Sequence, residues 1–101
     1  MSKPIYKRIL VKISGEALKN GCENDILDFD FVDKVVASID KCLKEGVEVA
    51  IIVGAGNIWR GARKGVGMNR ARADHMGMLA TVINSLALQD AFIRHGIAAK
   101  V

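Results

Sequence analysis

Apolar positions alternate from the start of the chain. Ile9, Val11 and Ile13 flank Leu10 and Lys12, which predicts a short strand over Arg8 to Ile13. Ser14-Gly15 ends it, since glycine permits a sharp turn or a close backbone approach. The polar stretch from Leu18 to Asp25 reads as a loop. A helical period then takes over: Val32, Val35, Val36, Ile39 and Leu43 fall at i, i+3, i+4, i+7 and i+11. This helix is capped by Asp28 or Asp30 and runs to about Glu45, with Gly46 just past its end. Val47 to Val53 is β-branched and nearly all apolar, as a strand covered on both faces would be. The glycine-rich GAGNIWRG and the basic ARKGVGMNRAR follow. A long helix is predicted from about Arg70 to His95, ended by Gly96. Its middle, Met76 to Leu88, is apolar on more than one face and should be covered on two sides, with Gly77 a weak point. Ile97 to Val101 begins another short strand.

The order β-α-β-loop-α-β is that of an α/β fold with parallel strands and covering helices. A parallel sheet needs helices on both faces, and only two substantial ones are predicted. The expectation is therefore the front part of a larger domain. Half the residues are apolar, which excludes a disordered chain, and 101 residues allow one domain at most. The longest run without charge, Met76 to Gln89, contains Thr81, Asn84 and Ser85 and falls short of the ~20 residues that span a bilayer. The basic N-terminus lacks the cleavage site of a secretory signal. Cys22 and Cys42, with no CxxC between them, read as reduced cytosolic thiols.

Charge changes the picture because it is uneven. Lys and Arg number 15 against 11 Asp and Glu, a formal +4. Between Glu48 and Asp74 there is no acid, while Arg60, Arg63, Lys64, Arg70 and Arg72 all fall there. Such cations beside a glycine-rich loop at a strand's carboxyl end are what a phosphate site needs. Backbone N–H groups approach the oxygens where Cβ is absent, and guanidinium groups neutralise them. Ligands of open α/β sheets bind at that end. A solvated basic loop or a nucleic-acid patch would share the same composition. The loop matches neither the Walker pattern nor GxGxxG. Lys12 is a second candidate. An ammonium on an apolar strand is costly without a partner, and an anion at the strand's end would be one. A lysine reaching to the sheet's edge is the alternative. Two strands that both end in glycine turns, each with a cation, point to phosphate more strongly than either alone. Asp74 would complement the helix dipole, pair with a neighbouring arginine, or accept hydrogen bonds from ligand hydroxyls. His75 and His95 have no third ligand spaced for a metal. Trp59 would pack on the fold or stack on a base, and Met68, Met76 and Met78 read as core filler.

Three stretches, YKRILVKISGEAL, VEVAIIVGAGNIWRG and GMNRARADHMGMLATVINSLALQDA, resemble in that order the UMP kinase branch of the amino acid kinase family, over nearly the whole chain. ADHMGMLATVIN with LALQDA separates that branch from the aspartate, glutamate and acetylglutamate kinases. The resemblance implies a three-layer α/β/α fold with a mainly parallel sheet, incomplete here. Residues 1–101 would be the N-terminal part of a single domain whose C-terminal ATP-binding part is absent. It implies reversible transfer of the ATP γ-phosphoryl group to UMP, giving UDP and ADP in pyrimidine nucleotide synthesis. Mg2+ would be held mainly by the phosphates, with no metal site on the protein. Lys12, Ile13, Ser14 and Gly15 would hold the ATP phosphates, and Gly56 and Arg60 would line the phosphate site between donor and acceptor. Lys12 and Arg60 would be the catalytic pair. Gly54, Ala55 and Asp74 would belong to the UMP side. A cytoplasmic homohexamer, a trimer of dimers joined through helix 70–95, is also implied, with no membrane and no nucleic acid. The 101 residues alone are expected to be inactive.

Ala55 stands where the branch usually has glycine, Trp59 where it often has Phe, and Gln89 and Ile93 where GTP-responsive members carry basic residues. GTP activation is therefore not expected. The alternatives are another amino acid kinase with a carboxylate acceptor and a non-catalytic basic binding module.

Overall fold

A computed structural model of the chain describes residues 5–21, 25–59 and 67–101. Its elements, in chain order, are β1 (Arg8–Ile13), α1 (Gly15–Lys19), α2 (Phe29–Lys44), β2 (Glu48–Val53) and α3 (Arg70–Arg94). β1 and β2 are parallel and in register from Arg8 opposite Glu48 to Ile13 opposite Val53. Side chains alternate across the pleat. Ile9, Val11 and Ile13, with Val49, Ile51 and Val53, therefore share one face, against which α2 and α3 pack. The other face carries Leu10, Lys12, Ala50 and Ile52, and no described helix covers it. The sequence reading anticipated helices on both faces, and the described residues supply one layer.

α2 forms as its pattern predicts. The Asp28 side chain accepts the N–H groups of Asp30 and Phe31 at 3.1 and 3.2 Å, satisfying donors that the first turn leaves open. Val32, Val36 and Ile39 are buried, while Val35 and Leu43 pack at the margin of the same core. At its end Gly46 takes φ +86°, a left-handed conformation that costs glycine little. Leu18, Leu27, Val53, Leu88, Ala91 and Phe92 complete the core.

Four expectations need correcting. The segment read as a loop from Leu18 opens inside a helix, α1, whose five residues are too few to show a period. Ile97 to Val101 is not a strand. Ile97 and Ala99 pack on the core, and the Ala99 carbonyl is taken by Gln89 Nε2 at 3.0 Å instead of by a neighbouring strand. α3 is buried on one side only, and its other side exposes Leu79, Val82, Ile83 and Leu86. Met68, Met76 and Met78 lie on the surface, not in the core. Gly77 does not break α3, which is continuous for 25 residues, about 37 Å. By length and composition α3 could cross a membrane, a test that core helices also pass. Its inner side here packs on β2 and α2.

Candidate functional site

Because β1 and β2 are parallel neighbours, their carboxyl ends lie side by side, and the turns that follow them touch. Gly54 N–H donates to the Ile13 carbonyl at 3.0 Å. A Cβ built on Gly15 would lie 2.5 Å from Asn57 Oδ1, 2.7 Å from Gly56 N and 2.8 Å from Gly54 O. No side chain fits there, so glycine at position 15 is required by contact and not by an unusual φ. Ser14 caps α1, its Oγ accepting the Ala17 N–H at 3.1 Å.

The two turns border an open cleft of about 580 Å³. Lys12 to Glu16 form one side, Gly54 to Gly56 with Trp59 the other, and Gly77 and Thr81 of α3 complete it. Seven of the nine residues singled out from sequence thus meet here: Lys12, Ile13, Ser14, Gly15, Gly54, Ala55 and Gly56. Lys12 is exposed at the sheet's uncovered face, and no described carboxylate forms an ion pair with it. Among described non-glycine residues only Asn20 has a positive φ, so Ala55 sits in its loop without backbone strain.

The remaining two are Asp74 and Arg60. Asp74 does not line the cleft; it lies one turn before Gly77 and pairs with Arg70 at 3.2 Å, the ion-pair alternative of the sequence reading. Both partners are more than half exposed, so the pair contributes little to stability. Arg60 falls outside the described residues, as do Arg63, Lys64 and Cys22. Trp59 packs on the fold, its Nε1 donating to the Ala73 carbonyl at 2.8 Å.

Sequence reasoning missed the residues that hold the loop. Asn84, fully buried on α3, and Asn57 form a reciprocal amide pair with bonds of 2.7 and 3.1 Å. Asn84 Nδ2 also donates to the Gly54 carbonyl at 2.8 Å, and Asn57 Nδ2 to the Ile26 carbonyl at 2.7 Å. The available signal was Asn84's place between Ala80 and Leu88, one turn away on either side of the buried stripe. A polar group there must find a partner.

The site offers an ammonium and glycine backbone in a cleft at the strands' carboxyl ends, a donor set suited to phosphate oxygens and not to a metal ion. Among the described residues no three His, Cys, Asp or Glu side chains gather. The fold and site define an α/β protein with an open cleft where the glycine turns of two adjacent parallel strands meet. Comparison with known proteins narrows the class. Residues 7–101 match the amino acid kinase family, and the chain belongs to that family. It is 50% identical over 102 residues to a uridylate kinase of Actinobacillus succinogenes, covering all of this chain and 43% of that protein. A uridylate kinase of Mycoplasmopsis pulmonis is 48% identical over 101 residues, 98% of this chain and 41% of the relative. Among solved structures, UMP kinase from Ureaplasma parvum superposes with a TM-score of 0.81 at 42% identity, over 90% of this chain and 40% of that one. UMP kinase from Bacillus anthracis gives 0.79 at 37% identity, over 88% and 36%. The chain therefore spans less than half the length of the proteins it matches, and its fold is the corresponding portion of theirs.

Proposed function

We propose that this chain is part of a UMP kinase, which transfers the γ-phosphoryl group of ATP to UMP and yields UDP and ADP. One observation carries the reading: the two glycine turns that follow β1 and β2 are in contact and share one cleft with Lys12 at its edge. Phosphoryl transfer asks little covalent chemistry of a protein and much positioning and charge stabilisation. Lys12 serves as the charge that accompanies the moving phosphoryl group. Ile13, Ser14 and Gly15 hold the ATP phosphates. Gly56 and Arg60 lie between donor and acceptor, and Gly54, Ala55 and Asp74 face UMP. Mg2+ would be held mainly by the nucleotide phosphates, where it would supply further neutralisation of their charge. The likeness to uridylate kinases along the whole chain supports UMP as the acceptor.

The domain is read as a single amino acid kinase domain, of which residues 1–101 supply the N-terminal part. The whole protein is read as a cytoplasmic homo-oligomer, a hexamer built as a trimer of dimers through α3, and the exposed apolar side of α3 supports that reading. The 101 residues by themselves are read as inactive.

The test is ADP release by the full-length gene product with ATP and each nucleoside monophosphate, aspartate and glutamate as acceptors. UMP should be strongly preferred. Equal turnover of a carboxylate acceptor would overturn the assignment. Lys12→Met should lower kcat on the order of 100-fold with little change in stability, because the ammonium is exposed and acts on developing charge. Wild-type kcat in that variant would remove Lys12 from its role.

A further inference from the structure

We infer that Asn84 and Asn57 are positioning residues for the phosphate-side loop, fixing the peptide planes of Gly54 to Gly56 from behind; this rests on the phosphoryl-transfer reading above. Neither residue lines the cleft. They act through the backbone they hold.

The geometry leaves the pair no freedom. Each side-chain amide has two N–H donors and one carbonyl acceptor. Asn84 donates to Gly54 O and to Asn57 Oδ1, and Asn57 donates to Ile26 O and to Asn84 Oδ1. Turning either amide over would set its oxygen against a backbone carbonyl, so both orientations are fixed. The pair ties three segments together: the loop after β2, α3, and the turn before α2. Gly15 closes the arrangement from the β1 side, where a Cβ would meet Asn57 Oδ1 first.

An apolar pair of the same shape would fill this space about as well, since hydrogen bonds exchanged with water contribute modestly to net stability. What an apolar pair cannot do is aim the Gly54 carbonyl. In a planar trans peptide the C=O and the following N–H point in opposite directions. Holding Gly54 O on α3 therefore turns the Ala55 N–H away from α3, and Ala55 borders the cleft. The buried amides convert a flexible glycine turn into an oriented backbone donor.

The test uses the full-length protein and the variants Asn84→Ala, Asn57→Ala and Leu88→Ala. Leu88 is buried in the core on the same helix one turn further on and does not line the cleft, so it controls for loss of core packing. kcat and KM for ATP and UMP are measured where each variant is folded by circular dichroism, with hydrogen exchange followed by mass spectrometry. Asn84→Ala should lower kcat on the order of 10–100-fold, as expected for sub-ångström misplacement, with KM changing only a few-fold. Exchange should speed up in peptides covering 54–59 and stay unchanged in β1. Asn57→Ala should show the same signature, and it carries the test if Asn84→Ala does not fold. Leu88→Ala should lower the melting temperature and leave both kcat and loop exchange as in the wild type. Wild-type kcat and loop exchange in the folded asparagine variants, or the same split in Leu88→Ala, would overturn the inference. If the wild-type protein does not phosphorylate UMP, the proposed function fails, while the loop-exchange comparison still decides whether the asparagines order the loop.

Discussion

Gly15→Ala sets two effects against each other, and their magnitudes decide the outcome. Gly15 is the first residue of α1, where alanine is the better helix former by up to ~1 kcal/mol. Its Cα, however, faces the other turn. The added Cβ would sit 2.5, 2.7 and 2.8 Å from three atoms, whereas ordinary contact begins at 3.4 Å. Two of the three are backbone atoms of Gly54 and Gly56. The third, Asn57 Oδ1, is held by Asn84 and cannot swing away. The turns must therefore part by half an ångström or more, and overpacking of this kind costs ~1–3 kcal/mol. Sterics win: the variant should be less stable than wild type despite its better helix former. The larger effect is on catalysis, because a shift approaching an ångström at a positioning loop lowers the rate on the order of 100-fold. The assay is steady-state ADP formation by full-length protein with UMP and ATP, beside urea unfolding of the same samples. Gly54→Ala is the stability control, since a Cβ there meets nothing closer than 3.4 Å and should leave the unfolding midpoint nearly unchanged. A Gly15→Ala protein with kcat within twofold of wild type and an unchanged or higher midpoint would refute the claim that the two turns are locked together.

Two further outcomes are expected. The Asp28 carboxyl is held below its ordinary value of 3.8, first by the Asn20 side-chain amide and then by the Phe31 N–H it caps. A depressed carboxylate contributes stability that is present above the unfolded pKa and lost as pH falls through the folded one. Asparagine also caps helices, so the melting-temperature advantage of wild type over Asp28→Asn should be constant near neutrality and shrink progressively below about pH 3.8; an advantage that does not diminish as the pH falls further would contradict this. The double variant Leu79→Lys with Ile83→Lys, placed on the exposed side of α3, should lower the solution mass of the full-length protein by light scattering without lowering its helix content. An unchanged mass would exclude this side from the proposed assembly.

The elements legible in the sequence are those with many residues and a local stop signal. α2 combines a five-position stripe with the Asp28 cap and Gly46, and β2 has an unbroken β-branched run, so both emerge within a residue of their observed limits. α1 carries a cap in Ser14 and a stop in Asn20-Gly21, but its five residues are too few to show a period. The strand read at Ile97 to Val101 fails because composition cannot supply the neighbour that a ladder needs, and here the Ala99 carbonyl bonds to Gln89. The cleft was legible from the two glycine turns because parallel neighbours bring their carboxyl ends together whatever lies between them. The asparagine pair was not, because its partners are 27 residues apart and an amide on an apolar helix shows no direction until the helix is packed. For the same reason the side of α3 left bare could not be read: apolar residues run all the way round it.

That all-round apolar character has a physical consequence for the segment itself. Inward, Ala73, Ala80, Leu88, Ala91 and Phe92 are buried; outward, Met78, Leu79, Val82, Ile83, Leu86 and Ile93 are exposed. Six large apolar side chains on one side of one helix make a patch of the kind that marks an association surface. Each is already about half buried, so covering what remains would contribute roughly 1 kcal/mol apiece before the cost of association. The inward side is constrained differently: small residues at Ala73, Gly77 and Ala80 let the glycine loop and Trp59 approach, and Asn84 then fastens the loop. A partner seated on the outer side and the phosphate loop on the inner side would grip the same rigid rod. With one side given to the loop and core and the other to a partner, the middle of the helix keeps no wide solvent-facing stripe where charge would be favoured. Two contacting sides, with the proposed partner on the outer one, would account for the charge-free run from Met76 to Gln89.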